Sequence, residues 1–118
     1  MTKEKKLLKT ITDSILDKKG KEIVIIDLSI LHYAFCDYFV VCHGDSTTQV
    51  SAVADSVVKK VKEVHKLHVG HLEGFQNAQW ILIDLGSIVV HVFLKEQRDF
   101  YRLEDLWGDA KITRITEE

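Results

Sequence analysis

The chain has 118 residues, of which 46% are hydrophobic and 29% are charged, and its formal net charge is −2. This length fits one domain with one continuous core, and the composition excludes disordered and fibrous classes. The weak negative charge argues against binding through broad attraction to phosphates, so we expect contact with protein and no direct nucleic-acid reading.

The sequence also suggests a compartment. No apolar run approaches the roughly 18 residues of a membrane span, and the first ten residues lack the apolar stretch of a secretion signal, so we expect a cytoplasmic protein with no membrane contact. The two cysteines, Cys36 and Cys42, would lie about 20 Å apart on one extended strand, which is too far for a disulfide. Both are expected to be free thiols.

The first predicted elements are an amphipathic helix and a buried strand. Apolar residues at helical spacing between Leu7 and Ile15 predict a helix that ends near Lys19, with Gly20 as its C-terminal cap. The run Ile23–Leu28 is rich in β-branched residues and predicts a central strand covered on both faces.

A second strand and the longest helix are predicted next. Tyr38–Cys42 has the pattern of a strand, and the segment before it is too short for a parallel crossover. The first two strands are therefore either antiparallel neighbours or not adjacent. Ser46 and Gln49 have the spacing of a capping box, and valines at steps of three and four continue a helix to about Lys66.

The last third of the chain begins with a predicted hairpin. Trp80–Leu85 and Ile88–Phe93 are strand-like runs separated by Gly86 and Ser87. A two-residue loop with glycine first indicates a type II′ turn, so the two strands should pair antiparallel.

A third helix and an edge strand complete the predicted fold. Phe100, Leu103 and Trp107 recur at helical spacing, and Ala110–Ile115 alternates weakly like an edge strand. The predicted order is α-β-β-α-β-β-α-β in one domain over residues 1–118 with a polar tail. We expect an α/β fold with a mixed sheet of about five strands and flanking helices.

Three histidines raise the question of a metal site. His65 and His68 share one helical face, and His71 and Glu73 follow closely. A zinc site requires three or four ligands held together, and the predicted helix ends before His71. We therefore predict no metal and no cofactor.

Phosphoryl transfer has weak support in the sequence. Asp27, Asp37 and Asp84 could form a magnesium site, but no two of them have the i, i+2 spacing that places carboxylates on one strand face. Gly44-Asp45-Ser46 precedes a helix and could hold a phosphate, yet no glycine-rich loop with its lysine is present.

Nucleophilic catalysis also lacks a motif. His43 and His91 could serve as bases for a cysteine or serine, but no Gly-x-Ser-x-Gly elbow occurs. We interpret the cysteines as small core residues and His91 as a structural, hydrogen-bonded histidine. No catalytic residue is predicted.

Several short segments carry a resemblance to a known family. They are Glu73-Gly74, Trp80–Gly86, His91-Val92-Phe93, Arg98, Tyr101, Leu103-Glu104 and Leu106-Trp107, with Asp37-Tyr38-Phe39-Val40 and Gly44-Asp45-Ser46 in the first half. In these segments the chain closely resembles the ribosomal silencing factor family, also called RsfS or Iojap-like proteins. The resemblance covers nearly the whole chain.

The resemblance implies both a fold and a function. It implies a fold related to nucleotidyltransferases without their catalytic carboxylates. It further implies a non-enzymatic repressor of translation that binds the large ribosomal subunit through its ribosomal protein fourteen. Binding there would block association with the small subunit when nutrients are scarce. The alternatives are a nucleotidyl or phosphoryl transferase and a metal-dependent enzyme.

The partner-binding residues are expected in the last third of the chain. Aromatic and arginine side chains are the usual anchors of an interface, and acidic side chains suit a basic ribosomal protein. Trp107 is expected in the core because it shares the stripe of Phe100 and Leu103. A homodimer could cover the same apolar surface. The predicted contacts are Trp80, Asp84, Arg98, Tyr101, Glu104 and Glu73.

Overall fold

A computed structural model describes residues 2–31 and 34–115 and has the predicted mixed α/β architecture. The helices are α1 (Lys3–Asp17), α2 (Thr47–His65), α3 (Lys95–Tyr101) and α4 (Leu103–Leu106). The strands are β1 (Lys21–Asp27), β2 (Tyr38–Gly44), β3 (His71–Glu73), β4 (Trp80–Asp84), β5 (Ile88–Leu94) and β6 (Lys111–Arg114). Within this part of the chain, each helix is too short or too polar to cross a membrane.

The six strands form one sheet in the order β3-β4-β5-β2-β1-β6. Strands β2 and β5 are parallel, and the other neighbours are antiparallel. The antiparallel pairing of β1 with β2, the β4–β5 hairpin and the edge position of β6 confirm the predictions. The expected count of about five strands is wrong by one, because β3 has three residues, all exposed, and so lacks any apolar periodicity.

The two faces of the sheet are covered unequally. Helices α1 and α2 pack on one face, where the buried valines of α2 meet the residues of β4 and β5 that point to that side. On the other face, of the residues that the structure describes, α3, α4 and residues 28–31 and 34–37 lie over a second cluster. We call this second side the open face. It carries Val24, Ile26, Phe39, Val41, Trp80, Leu82, Val89, His91 and Phe93.

The end of α1 corrects one prediction. The left-handed residue is Lys19, with φ of 62°, and the backbone N–H of Gly20 donates to the carbonyl of Ile15 at 2.9 Å. The C-cap of α1 is Lys18 and the left-handed position after it is Lys19, so Gly20 is not the cap that the sequence predicts. A glycine is nonetheless required next to Lys19, because a Cβ there would lie 2.3 Å from Cγ2 of Ile15.

The predicted third helix is in fact two short helices. Arg102 adopts φ of 48° and separates α3 from α4, which resets the helical phase. As a result Leu103 is buried whereas Phe100 is 76% exposed, so the predicted stripe is wrong at Phe100. Trp107 is half-buried and packs edge-on against Phe39 at 5.7 Å, as its predicted core role requires.

Candidate docking surface

Trp80 is the centre of the exposed part of the open face. It begins β4, is half-buried, and stacks on Phe93 with ring centroids 4.8 Å apart. Its indole N–H donates to Nδ1 of His91 at 3.1 Å, and the ring of Tyr101 on α3 has its centroid 4.8 Å from that of Trp80. These contacts fix the indole in one orientation, so Trp80 presents a rigid aromatic edge.

His91 lies beneath this aromatic group and is 4% exposed. Burial lowers the pKa of His91 to about 4, so its ring is neutral at physiological pH. Because Nδ1 accepts the indole hydrogen bond, the ring proton is on Nε2, and Nε2 has no hydrogen-bond partner among the described residues. The ring also meets Phe39 edge-on at 4.6 Å, so His91 is a structural residue of the open face.

Exposed apolar side chains surround this centre. Tyr101 is 44% exposed and Leu106 is 72% exposed, on α3 and α4 respectively. At the other end of the open face, Phe35 is 76% exposed and lies 6.0 Å from Phe39. Neither Leu106 nor Phe35 was predicted as a surface residue, because α4 has only four residues and Phe35 lies in an irregular segment, and in both places periodicity does not separate core from surface.

Arg98 corrects the predicted contact set. It is 7% exposed, and its guanidinium donates to Glu104, to Nδ1 of His43 at 2.9 Å and to the Lys21 carbonyl at 3.3 Å. Burial raises the pKa of Glu104, but the hydrogen bonds from Arg98 and from the backbone N–H of Glu104, together with the positive charges of Arg98 and Arg114, lower it overall. Arg98 and Glu104 therefore attach α3 and α4 to the sheet and are not free surface charges.

The two remaining predicted contacts lie toward β3 and the hairpin. Glu73 is opposite Leu82 in the sheet, and its exposed carboxylate lies 2.9 Å from Nε2 of His71. Asp84 is half-buried and accepts the backbone N–H of Gly86 at 2.9 Å, which stabilises the turn. Glu73 therefore offers an exposed carboxylate at the rim of the docking surface, whereas Asp84 also stabilises the β4–β5 turn.

Two of the histidines considered as metal ligands have other polar partners. Nε2 of His65 is 2.8 Å from the Thr10 hydroxyl, and His71 pairs with Glu73. Within residues 2–31 and 34–115, no group of three or more His, Cys, Asp or Glu side chains is arranged to hold a metal ion.

The positions considered for catalysis have structural partners. At the start of α2, the Gln49 side chain accepts the backbone N–H of Asp45, and the Asp45 carboxylate pairs with Lys21 at 2.6 Å. An anion would therefore meet a carboxylate there. Burial raises the pKa of Cys36 to about 11 and that of Cys42 to about 12, so both thiols stay protonated and are poor nucleophiles.

The comparisons with known proteins agree on one family. The family model described as ribosomal silencing factor during starvation matches residues 1–118. A ribosomal silencing factor of Halalkalibacterium halodurans is 42% identical over 109 residues, covering 92% of each chain. A mouse protein named for mitochondrial assembly of the ribosomal large subunit is 36% identical over 90 residues, which cover 71% of this chain and 40% of that protein. A crystal structure of a Chromobacterium violaceum protein has a TM-score of 0.85 and 37% identity, covering 91% of this chain and 88% of the other.

Proposed function

Because the chain belongs to the ribosomal silencing factor family, we propose that it represses translation by docking its open face on the large ribosomal subunit. The partner there is ribosomal protein fourteen of that subunit, and the docked chain blocks association with the small subunit when nutrients are limiting. This function needs no catalytic group.

The observation that carries the proposal is the uneven cover of the sheet. Two long helices close one face, whereas on the other the aromatic group of Trp80 and Tyr101 remains partly accessible beside exposed Leu106. Exposed apolar patches with rigid aromatic anchors and a polar rim are typical of protein interfaces. A docking partner would remove this apolar area from water.

Charge supports a basic partner for the open face. Residues 71–110, which contribute β4, β5, α3 and α4, contain seven acidic and three basic side chains. Ribosomal proteins are generally basic because they neutralise RNA, so the potentials are complementary. Such complementarity mainly raises the rate of encounter and selects the partner.

The names of related proteins support the large subunit as the site of action. The family is described by ribosome silencing during starvation, and the mouse relative is named for assembly of the ribosomal large subunit. A protein bound at the face where the subunits meet excludes the small subunit by bulk alone. Affinity and position are then sufficient for silencing.

Sedimentation tests the proposal directly. The purified chain is mixed with free large subunits or with joined ribosomes and centrifuged through sucrose, and subunit joining is followed by light scattering. We expect the chain to pellet with free large subunits, to be absent from joined ribosomes and to reduce joining in proportion to occupancy. Absence from the large-subunit fraction would contradict the proposal.

A further inference from the structure

The overall charge of −2 conceals a strong asymmetry. Residues 2–20, which contain α1, have six lysines and three acids, and residues 47–68, which contain α2, have four lysines and two acids. The acidic excess lies instead in residues 71–110. The helical layer is therefore basic, while the segment that supplies much of the open face is acidic.

The basic charge is concentrated in one groove at the end of α2. This groove has a volume of about 460 Å³ and is lined by Lys59, Lys62, Lys66, His68 and a single acid, Glu63. All five side chains are exposed. Within the described residues no ion pair joins Lys62 to a carboxylate, whereas Lys59 pairs with Asp55 at 3.0 Å.

The groove belongs to the helical layer of the molecule. Helix α2 packs over β4, β5 and β2 with α1 on the β1 side, and His68 belongs to the connection from α2 to the edge strand β3. The groove therefore lies in the helical layer, at the end of α2 that leads into β3, and a partner docked on the open face leaves it uncovered. Material that surrounds the docked protein can reach it.

The chemistry of the groove selects for phosphate. Lysine ammonium groups are mobile point charges that bind phosphates without a fixed geometry, and the lining has no aromatic ring on which a base could stack. Lysines at a helix C-terminus also interact favourably with the helix dipole. That interaction lies within the chain and is independent of any RNA.

We propose that the lysine groove at the end of α2 contacts the RNA backbone of the large subunit next to the protein docked on the open face. This proposal rests on the proposed function. It gives binding two components, a protein contact that selects the site and a phosphate contact that adds affinity without reading sequence. The second component makes docking depend on salt.

The test compares two variants with the same net charge. Lys59→Gln/Lys62→Gln removes two groove lysines, and Lys18→Gln/Lys111→Gln removes two exposed lysines elsewhere. Affinity for purified large subunits is measured between about 50 and 300 mM salt. We expect the groove variant to bind about tenfold more weakly at low salt, with a log–log salt slope smaller by about 1.5 to 2. The control variant should match the wild type.

A second measurement distinguishes an RNA contact from a protein contact. It also distinguishes failure of this inference from failure of the proposed function. Affinity for isolated ribosomal protein fourteen should be the same for the wild type and the groove variant, and circular dichroism should show that both are folded. Equal salt slopes on the subunit, or a loss on the isolated protein as well, would overturn the RNA contact alone. Failure of the wild type to bind large subunits would overturn the proposed function and this inference together.

Discussion

The indole N–H of Trp80 donates to Nδ1 of His91 at 3.1 Å, so an accessible aromatic side chain is oriented by a buried imidazole. The bond requires an unprotonated Nδ1, and burial lowers the pKa of His91 to about 4 from its ordinary value of 6.5. The orientation of Trp80 on the open face therefore depends on a neutral histidine.

Stability should consequently decrease in mild acid. Below pH 6.5 the unfolded chain protonates His91 while the folded chain does not, so the free energy of unfolding falls until about pH 4, by about 3 kcal/mol in total. The pKa of His43 is also lowered, by burial and then by Arg98, and acts in the same direction. Urea unfolding at pH 7.5 and 5.0 should show a smaller decrease for His91→Phe than for the wild type. The exposed-site variant His68→Gln should keep the wild-type dependence, and an equal decrease in all three would contradict the role of His91.

Arg98 should be the most sensitive charged residue of the chain. Arg98→Met leaves the Glu104 carboxylate, whose side chain is 16% exposed, without its partner, and we expect a loss of about 3 kcal/mol in the free energy of unfolding. Arg98→Lys should recover little, because one ammonium cannot reach Glu104, His43 and the Lys21 carbonyl together.

A double substitution tests whether the loss comes from the unpaired charge. In Arg98→Met/Glu104→Leu no buried charge is left over, so urea unfolding should give a smaller loss than for Arg98→Met alone. Equal losses in the single and double variants would mean that packing of the arginine stem, and not its charge, is what stabilises α3 and α4.

Most of the fold could be predicted because its strands and long helices bury periodic apolar residues. The valine spacing of α2, the Gly86-Ser87 turn and the β-branched run of β1 each indicate one structure locally. Strand β3 could not be predicted, since its three residues are exposed and it exists only by pairing with β4. Its stability comes from tertiary contacts that the local sequence does not encode.

The site was only partly predictable for a related reason. On one continuous helix Arg98 and Glu104 would point about 120° apart and could not meet, so the sequence alone presents both as separate surface residues. The left-handed Arg102 breaks the helix and brings the two side chains together. A helix break caused by a positive φ at a residue other than glycine cannot be recognised from hydrophobic periodicity. The aromatic residues around Trp80 and Tyr101, by contrast, are visible in the sequence.

Two glycines with nearly the same φ should respond differently to alanine. Gly74 has φ of +88° and a Cβ there would lie 2.0 Å from the carbonyl oxygen of Trp80, whereas Gly86 has φ of +90° and open space around it. Gly86→Ala should cost about 1 kcal/mol of backbone strain, and Gly74→Ala should cost at least about 2 kcal/mol more because β4 must move. Thermal unfolding of both variants checks this order. Equal melting temperatures would show that β4 shifts to accommodate the Cβ at position 74 without loss of stability.

Docking on the large subunit should depend on the exposed aromatic side chains of α3. Tyr101→Ala removes a 44% exposed ring that packs on Trp80, and we expect binding to weaken by about 2 kcal/mol, the range of interface anchors. The matched control is Val64→Ala on α2, which truncates a 60% exposed apolar side chain in the helical layer and should leave affinity unchanged.

Trp80→Ala should weaken binding at least as much as Tyr101→Ala, but it also removes the donor to His91, so its melting temperature must be measured in parallel. Affinity for large subunits, measured by sedimentation with labelled protein, decides between the two faces: if Tyr101→Ala binds like the wild type while Val64→Ala does not, the helical layer and not the open face meets the ribosome.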